Sequence, residues 1–275
     1  MIDVAPFDGP LAAALATFVT LIRTTGATHI AHLATLRRLD RHLQERHPTA
    51  TTITHEIIVD WYASFAHLKP ATQRRYRCST SRFCAFLRAR DPATVAQDTV
   101  PTLRRPRDFI PCVMTEPQII DVLRRARTIS VTKRNPLAGE GTHLTVVLLY
   151  TAGLRLGEVV RLDVSDFDSA AGTLLIRETK FAKTRLVPLS TSTQRAVEAY
   201  LAERRARGID TPPAASLIWS PGRRRLCFGT IEAIIRRIFR EAGLKPERGR
   251  TGPRPHDLRH TFAACRRSSE GAAVR

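Results

Sequence analysis

Long apolar segments, acidic residues and paired cysteines are all scarce in this chain of 275 residues. The longest apolar run, Val146–Tyr150, is far shorter than the roughly 20 residues that a membrane-spanning helix requires. The N-terminus, Met1–Val4, lacks the basic start and the apolar stretch of a secretory signal. These absences favour a soluble protein located in the cytoplasm.

The cysteines form no Cys-x-x-Cys pair and no Cys/His group with metal-ligand spacing, so free thiols are expected. They are Cys78, Cys84, Cys112, Cys227 and Cys265. Asp163, Asp166 and Asp168 lack the glycine and the spacing of a calcium loop. The histidines outside one motif described below are interpreted as structural or exposed. These are His29, His32, His42, His47, His55, His67 and His143. We therefore expect no metal site.

Positive charge is the main compositional feature that is present. The chain has 44 Lys and Arg against 25 Asp and Glu, a formal net charge of +19, and only five of the cations are lysines. Guanidinium groups bind phosphates through two parallel hydrogen bonds, so a nucleic acid is the expected partner. An arginine-rich genome would raise the same count without any ligand.

The first 90 residues have the periodicity of helices. Leu15, Phe18, Val19 and Ile22 recur three or four residues apart, as on one helix face. The predicted helices cover 11–24, 28–46, 53–67 and 71–90. The last of these carries several arginines, including Arg74 and Arg75, and one side of it is predicted to face phosphates. Residues 1–91 are therefore predicted to be a helical DNA-binding domain.

Residues 92–111 are interpreted as a linker because four prolines interrupt regular structure. Arg104 and Arg105 make this segment basic, which suits a strand crossing a DNA backbone. A solvated surface loop is an equally good interpretation of the same composition.

Residues 112–275 are predicted to form a second, mainly helical domain with a small sheet. A helix is expected to begin after the cap Thr115, and another to end at Gly153, where a left-handed residue can cap it. The remaining predicted elements are a helix over about 142–152, strands over 164–168, 174–177 and 185–189, and helices over 191–207 and 229–242. In the last of these, one apolar stripe is predicted from Ile231, Ile234, Ile235 and Ile238. The fold class is therefore mainly α with a small β-sheet, that is, α+β.

Several cationic side chains of this second domain suit phosphoryl transfer, which needs fixed positive donors around one phosphate and a proton source. Arg155 and Arg259 lie in apolar neighbourhoods, where an unpaired guanidinium is costly to bury. Glu158 is either the partner of Arg155 in a buried salt bridge or a group that orients a phosphate-binding arginine. His256 precedes Arg259 by three residues on one helix face, and Lys180 lies at a predicted hairpin tip.

Three segments together resemble the tyrosine site-specific recombinases, the phage integrase family. They are Thr151–Glu158 (TAGLRLGE), Thr179–Leu189 (TKFAKTRLVPL) and Pro255–Ala263 (PHDLRHTFA). The resemblance covers about 112–263 and implies an integrase-type catalytic domain. It also implies that the preceding helices are the core-binding (SAM-like) domain of that family. The implied activity is site-specific breaking and rejoining of DNA through a 3′-phosphotyrosine, as in DNA integration by phages or mobile elements.

The resemblance also implies a role for each matching residue. Arg155 and Arg259 would clamp the scissile phosphate, His256 would assist proton transfer, and Lys180 would protonate the departing 5′ oxygen. Glu158 and His260 would support the site. Further expected DNA contacts are Lys183, Arg185, Arg224 and Arg237. No cofactor and no metal are implied.

The chain departs from the family pattern after the His-x-x-Arg segment, where relatives continue to the tyrosine that attacks DNA. The tail, Ala264–Arg275, contains no tyrosine and lacks the apolar periodicity of the family's last helices. The tyrosines present are Tyr62, Tyr76, Tyr150 and Tyr200. We therefore expect a C-terminally truncated recombinase that binds double-stranded DNA and is unable to cleave it alone.

Two alternatives are compatible with the same residues. The chain could be a non-catalytic module that competes at recombination sites, or shares a tyrosine of another protomer, in a homo-oligomer or with full-length recombinases. It could also be a general basic protein that coats nucleic acid. In that last case, replacing Arg155 or Arg259 would weaken binding no more than replacing Arg224.

Overall fold

The computed structural model describes residues 7–24, 30–90, 111–132, 134–177, 184–223, 225–249 and 251–272. The chain divides into two compact units, one made of the four N-terminal helices and one made of the elements that follow residue 111. Nearly all of the predicted linker, 92–111, lies outside the described residues. Among the helices of the described ranges, none combines the length and the apolar character that crossing a membrane requires.

The first unit consists of four helices at the predicted places. They are α1 (Ala12–Thr24), α2 (Ile30–Arg46), α3 (His55–Ser64) and α4 (Pro70–Arg88). Helix α3 ends three residues before its predicted end at 67. The chain there turns through bonds from Ala66 N to Ala63 O and from Leu68 N to Phe65 O, and Gln73 Nε2 donates to the Ala66 and Leu68 carbonyl oxygens at 2.7 and 2.8 Å.

Aromatic packing and three polar bonds hold the first unit together. Phe83 is fully buried, and the Trp61 indole Nε1 donates to Thr80 Oγ1 at 2.9 Å across α3 and α4. Asp40, on α2, accepts the backbone N–H groups of Asp8 and Gly9 at 2.9 and 3.2 Å. The carboxylate of Asp40 therefore anchors the turn that leads into α1.

In the second unit, the other helices pack around one central buried helix, α6 (Ala138–Thr151). These other helices are α5 (Glu116–Arg127), α7 (Leu156–Val159), α8 (Thr191–Ala206), α9 (Phe228–Glu241) and α10 (Pro255–Ala272). Helices α5, α8, α9 and α10 all pack on α6, in which Val146 and Leu148 are fully buried. Ile231, Ile235 and Ile238 of α9 face the same core, so the predicted apolar stripe of α9 is confirmed.

The small sheet is antiparallel, with strand order β1 (Phe167–Asp168), β2 (Thr173–Ile176) and β3 (Arg185–Pro188). Strands β2 and β3 pair from Thr173 opposite Pro188 to Ile176 opposite Arg185. This pairing places Arg185 at the start of β3 and confirms the predicted hairpin strands. The α+β fold class is likewise confirmed.

The start of α6 and the segment 164–168 also differ from the sequence prediction. Helix α6 begins at Ala138 rather than near 142 and includes Gly139, where a side chain would lie 2.3 Å from the Arg127 carbonyl oxygen. Most of the predicted strand 164–168 is a 3₁₀ turn, because Asp166 Oδ2 accepts the Asp163 N–H at 2.9 Å and closes it. Helix α10 extends to Ala272, since no proline interrupts it and its alanines and arginines are good helix formers.

Candidate functional site

The turn between α6 and α7 carries Arg155, the first residue of the candidate site. Gly153 follows the last turn of α6 with a φ of 60°, the left-handed region that glycine enters without strain. A Cβ at this position would lie 2.5 Å from the ring of Phe262 on α10. The glycine therefore lets α10 pack directly against the turn that carries Arg155.

Glu158 is the centre of the site's hydrogen bonding. Its Oε2 accepts the Arg155 backbone N–H at 2.8 Å, and its Oε1 accepts the Arg155 Nη1 at 2.8 Å. Arg185 donates from Nη1 to Oε1 at 3.1 Å and from Nη2 to Oε2 at 2.9 Å. One buried carboxylate, 3% exposed, thus fixes two guanidinium groups, that of the nearby Arg155 and that of Arg185, which lies 27 residues after Glu158.

These bonds keep Glu158 ionised inside the protein. Burial alone would raise the pKa of its carboxyl, but hydrogen bonds from Arg185 and Arg155 outweigh burial and lower the pKa from 4.5 to about 2. The structure confirms the ion pair between Glu158 and Arg155, and the role of Glu158 in orienting a phosphate-binding arginine stays a prediction. The Arg155 side chain stays 47% exposed and so keeps a surface for a ligand.

Arg259, on α10, completes the cationic group. Its Nη1 donates to the carbonyl oxygen of Gly153, so the same turn that presents Arg155 also holds Arg259. Burial and the nearby charge of Arg155 lower the pKa of the Arg259 guanidinium, which remains protonated because its ordinary pKa is so high. Three guanidinium groups act on one carboxylate, and the excess positive charge suits an oxyanion.

His256 and His260 lie one turn apart on α10, with ring centroids 4.7 Å apart in an edge-to-face arrangement. His256 is exposed. Partial burial of its ring, followed by the charges of His260, Arg259 and Arg155, lowers its pKa, so the imidazole is neutral near pH 7. Arg155 and Arg259 are therefore close enough to the His256 ring to disfavour its protonation.

The start of α10 is fixed by Asp257 and Thr261. The Asp257 carboxylate, 1% exposed, accepts the Arg254 N–H at 2.8 Å and so caps the helix. Thr261 Oγ1 accepts the Met114 N–H at 3.1 Å and donates to the Asp257 carbonyl at 2.9 Å. These contacts lock α10, with His256 and Arg259, to the beginning of the second unit.

The structure brings together Arg155, Glu158, His256 and Arg259 of the predicted site. Lys180, Lys183, Arg104, Arg105 and Arg224 lie outside the described residues. Arg237 lies on α9 with its Nε 3.5 Å from Glu241, and Arg74 and Arg75 lie on α4 of the first unit. The DNA contacts assigned to these residues stay predictions.

Arg185 is the residue whose structural role the sequence did not show. It is predicted as a DNA contact, whereas both of its terminal nitrogens bind Glu158. The signal available was its place at the start of a strand that returns from a hairpin, but no local pattern names a partner 27 residues earlier.

None of the four tyrosines has the surroundings of an activated nucleophile. Tyr62 and Tyr76 are buried in the first unit. The Tyr200 hydroxyl accepts the Trp219 N–H at 2.9 Å, and burial raises its pKa to about 12. Burial, together with Cys265, also raises the pKa of Tyr150. A raised pKa makes the attacking phenolate harder to form.

A buried carboxylate holds arginines beside a neutral histidine, on a mainly helical domain with a three-stranded sheet, and this arrangement has the fixed cationic donors that phosphoryl transfer requires. The model of the phage integrase family matches residues 114–265. The y4rE protein of Sinorhizobium fredii, whose name describes an integrase/recombinase, is 33% identical over 251 residues. These cover 91% of this chain and 78% of that protein. The tyrosine recombinase XerC of Mycobacterium tuberculosis is 29% identical over 244 residues, covering 86% and 77%.

Solved structures share the fold at low identity. A lambda integrase tetramer bound to a Holliday junction aligns with a TM-score of 0.63 and 17% identity, over 92% of this chain and 72% of that one. The Tn1549 transposon integrase, in complex with a circular intermediate DNA, aligns with a TM-score of 0.65 and 14% identity, over 93% and 87%. The chain belongs to the phage integrase family, as the match over 114–265 shows.

Proposed function

We propose that this chain binds double-stranded DNA and holds one phosphodiester between Arg155 and Arg259. The observation that carries the proposal is the Glu158 hydrogen-bond network, because it leaves Arg155 half exposed in a fixed orientation beside Arg259. The DNA complexes of lambda integrase and the Tn1549 integrase support it through their shared fold. Such a DNA-binding chain would act in the cytoplasm.

The proposed chemistry is strand exchange, in which an oxygen nucleophile that residues 1–275 do not supply forms a bond to phosphorus while the bond to the 5′ oxygen breaks. Arg155 and Arg259 would offset the charge that develops on the nonbridging oxygens. Lys180 would give its proton to the departing 5′ oxygen, and neutral His256 would accept or donate a proton at the phosphate. Glu158 and Arg185 would act by positioning Arg155, and His260 by packing on His256.

The polypeptide of residues 1–275 is proposed to bind DNA without cleaving it by itself. Tyr62 and Tyr76 are buried, and the pKa values of Tyr150 and Tyr200 are raised, so none of the four is activated for attack. General acid–base catalysis cannot accelerate cleavage when no nucleophile is available. Incubation with suicide duplexes, which trap a cleaved strand, should give no covalent protein–DNA adduct. An adduct that maps to any residue of this chain would refute this part of the proposal.

DNA binding is tested by fluorescence anisotropy with a labelled duplex. Replacing a charge-assisted contact costs about 1.5–3 kcal/mol, so Arg155→Ala and Arg259→Ala should each raise Kd about 10- to 100-fold. Arg124→Ala is the matched control, since this arginine is 73% exposed on α5 and pairs with Asp121. Equal losses for all three variants would favour a general basic coat over a dedicated site.

A second candidate function is a module that shares or competes for recombination sites, favoured by the unactivated surroundings of Tyr150 and Tyr200. Mixing the chain with an active full-length recombinase and its duplex tests this role. Restored cleavage by a partner that keeps its tyrosine but lacks its phosphate-binding arginines would support a hetero-assembly in which this chain receives the partner's nucleophile. Reduced cleavage by an intact partner would support competition. Unchanged cleavage in both mixtures would refute this second function.

A further inference from the structure

A cluster of two histidines and one aspartate lies in the first unit, where α2 ends and α3 passes beside it. His42 lies on α2, His47 directly follows the last residue of that helix, and Asp60 lies on α3. Asp60 Oδ2 is 3.2 Å from His42 Nε2 and 3.1 Å from His47 Nε2. One ligand atom of each of the three residues lies within 4.8 Å of the others.

Hydrogen bonding does not account for the whole cluster. The His42 side chain is 9% exposed, and its Nε2 is buried and makes no hydrogen bond, although Asp60 Oδ2 lies 3.2 Å away. His47 Nε2, in contrast, does form a hydrogen bond with Asp60 Oδ2. A buried imidazole nitrogen with no partner is costly, and its lone pair needs something other than this carboxylate.

The cluster is held in place before any ligand arrives. The His42 ring packs on the Trp61 ring with centroids 5.2 Å apart, and Trp61 is itself fixed by its bond to Thr80. The His47 N–H donates to the Leu43 carbonyl at 2.8 Å, which extends the end of α2. Preorganised donors bind an ion without paying the entropy of ordering them.

We propose that His42, His47 and Asp60 bind one transition-metal ion of the zinc class. Ligands 2.0–2.1 Å from a tetrahedral Zn²⁺ lie about 3.3 Å from one another, close to the two nitrogen–oxygen distances of the cluster. Two imidazoles and a carboxylate suit Zn²⁺, Co²⁺ or Ni²⁺ better than Mg²⁺ or Ca²⁺, which prefer oxygen ligands. The fourth position is left for water or another ligand.

The charge and protonation of the cluster fit such an ion. Metals bind the neutral form of imidazole, and the buried position of His42 disfavours its charged form. Asp60 supplies one negative charge, and the exposed Glu45 and Arg46, of opposite sign, are the other charged groups that act on His42. The ion would tie the end of α2 to α3. The proposal concerns only the first unit, so it stands or falls separately from the DNA site.

Calorimetric titration of the chelator-treated full chain with Zn²⁺ tests the proposal, with Co²⁺ as a spectroscopic probe. The wild type should bind one more Zn²⁺ ion per chain than either His47→Ala or Asp60→Asn does. Loss of a supporting group around a metal costs about 10–100-fold in affinity, so removal of a ligand should cost at least tenfold. Both variants leave buried His42 in place, and circular dichroism checks that they fold.

His67→Ala is the matched control, an exposed histidine of the same unit outside the cluster, and it should bind Zn²⁺ as the wild type does. Bound Co²⁺ should show tetrahedral absorption without a thiolate charge-transfer band, although the chain has exposed cysteines. A thiolate band, equal affinity in the wild type and both cluster variants, or no binding at millimolar Zn²⁺ would each overturn the proposal.

Discussion

Replacing Glu158 by glutamine tests the buried network most sharply, because the change keeps the shape of the side chain and removes its charge. The carboxylate accepts one backbone and three guanidinium hydrogen bonds. A fall in pKa from 4.5 to about 2 corresponds to about 3 kcal/mol in favour of the charged form in the folded state. Breaking a buried ion pair from one side costs about 3–5 kcal/mol, so the second unit should lose at least about 3 kcal/mol at pH 7.

The effect should depend on pH with a definite sign. The folded-state pKa of Glu158 is depressed, so its contribution is complete above the unfolded value of 4.5 and is lost as pH falls toward about 2. Linkage with these two values leaves about 1.4 kcal/mol at pH 3. The difference between wild type and Glu158→Gln should therefore shrink to less than half between pH 7 and pH 3.

Amide hydrogen exchange read by mass spectrometry is the suitable assay, because it reports the unfolding of the second unit separately from the first. Glu198→Gln, an exposed position on α8, is the control and should change stability by less than about 0.5 kcal/mol. Equal protection of the wild type and Glu158→Gln at pH 7, or a difference that does not change with pH, would refute the reasoning.

Three further substitutions test how the site is held. Gly153→Ala should lower the free energy of unfolding by about 2 kcal/mol or more, measured by heat or urea, since it forces a left-handed alanine against the Phe262 ring. Adding Phe262→Ala should relieve part of this loss, and a double variant whose loss equals the sum of the two single losses would contradict the contact. Thr261→Val should lower the free energy of unfolding by about 1–3 kcal/mol, because the Met114 N–H loses its acceptor. An unchanged hydrogen-exchange rate of the Met114 amide would argue against the bond. Tyr200→Phe should cost about 1–2 kcal/mol by leaving the Trp219 N–H unpaired, with exchange of the Trp219 amide as the check; wild-type protection would count against it.

Local patterns predicted most of the fold. The apolar stripes of α1 and α9, the Thr115 cap before α5, the β2–β3 hairpin and the turn at Gly153 each depend on residues close together in the chain. For the same reason the pairing of Arg155 with Glu158, three residues apart, was within reach of the sequence.

Contacts between distant residues could not be read from the sequence. Periodicity does not specify which side chain meets Glu158 from β3, nor that Thr261 binds the Met114 backbone 147 residues earlier. The same limit hid the approach of Asp60 to His42 and His47, which the sequence placed among structural histidines. Each of these contacts depends on how helices and strands pack, which only tertiary structure fixes.

The most direct test of the central claim asks whether Arg259 binds one particular DNA phosphate. A duplex selected from a random pool for binding is synthesised with a neutral methylphosphonate at each linkage in turn, and Kd is measured for the wild type and Arg259→Ala. At one linkage the neutral group should weaken the wild type about 10- to 100-fold and leave the variant nearly unaffected. Equal losses for both proteins at every linkage would contradict a dedicated phosphate site.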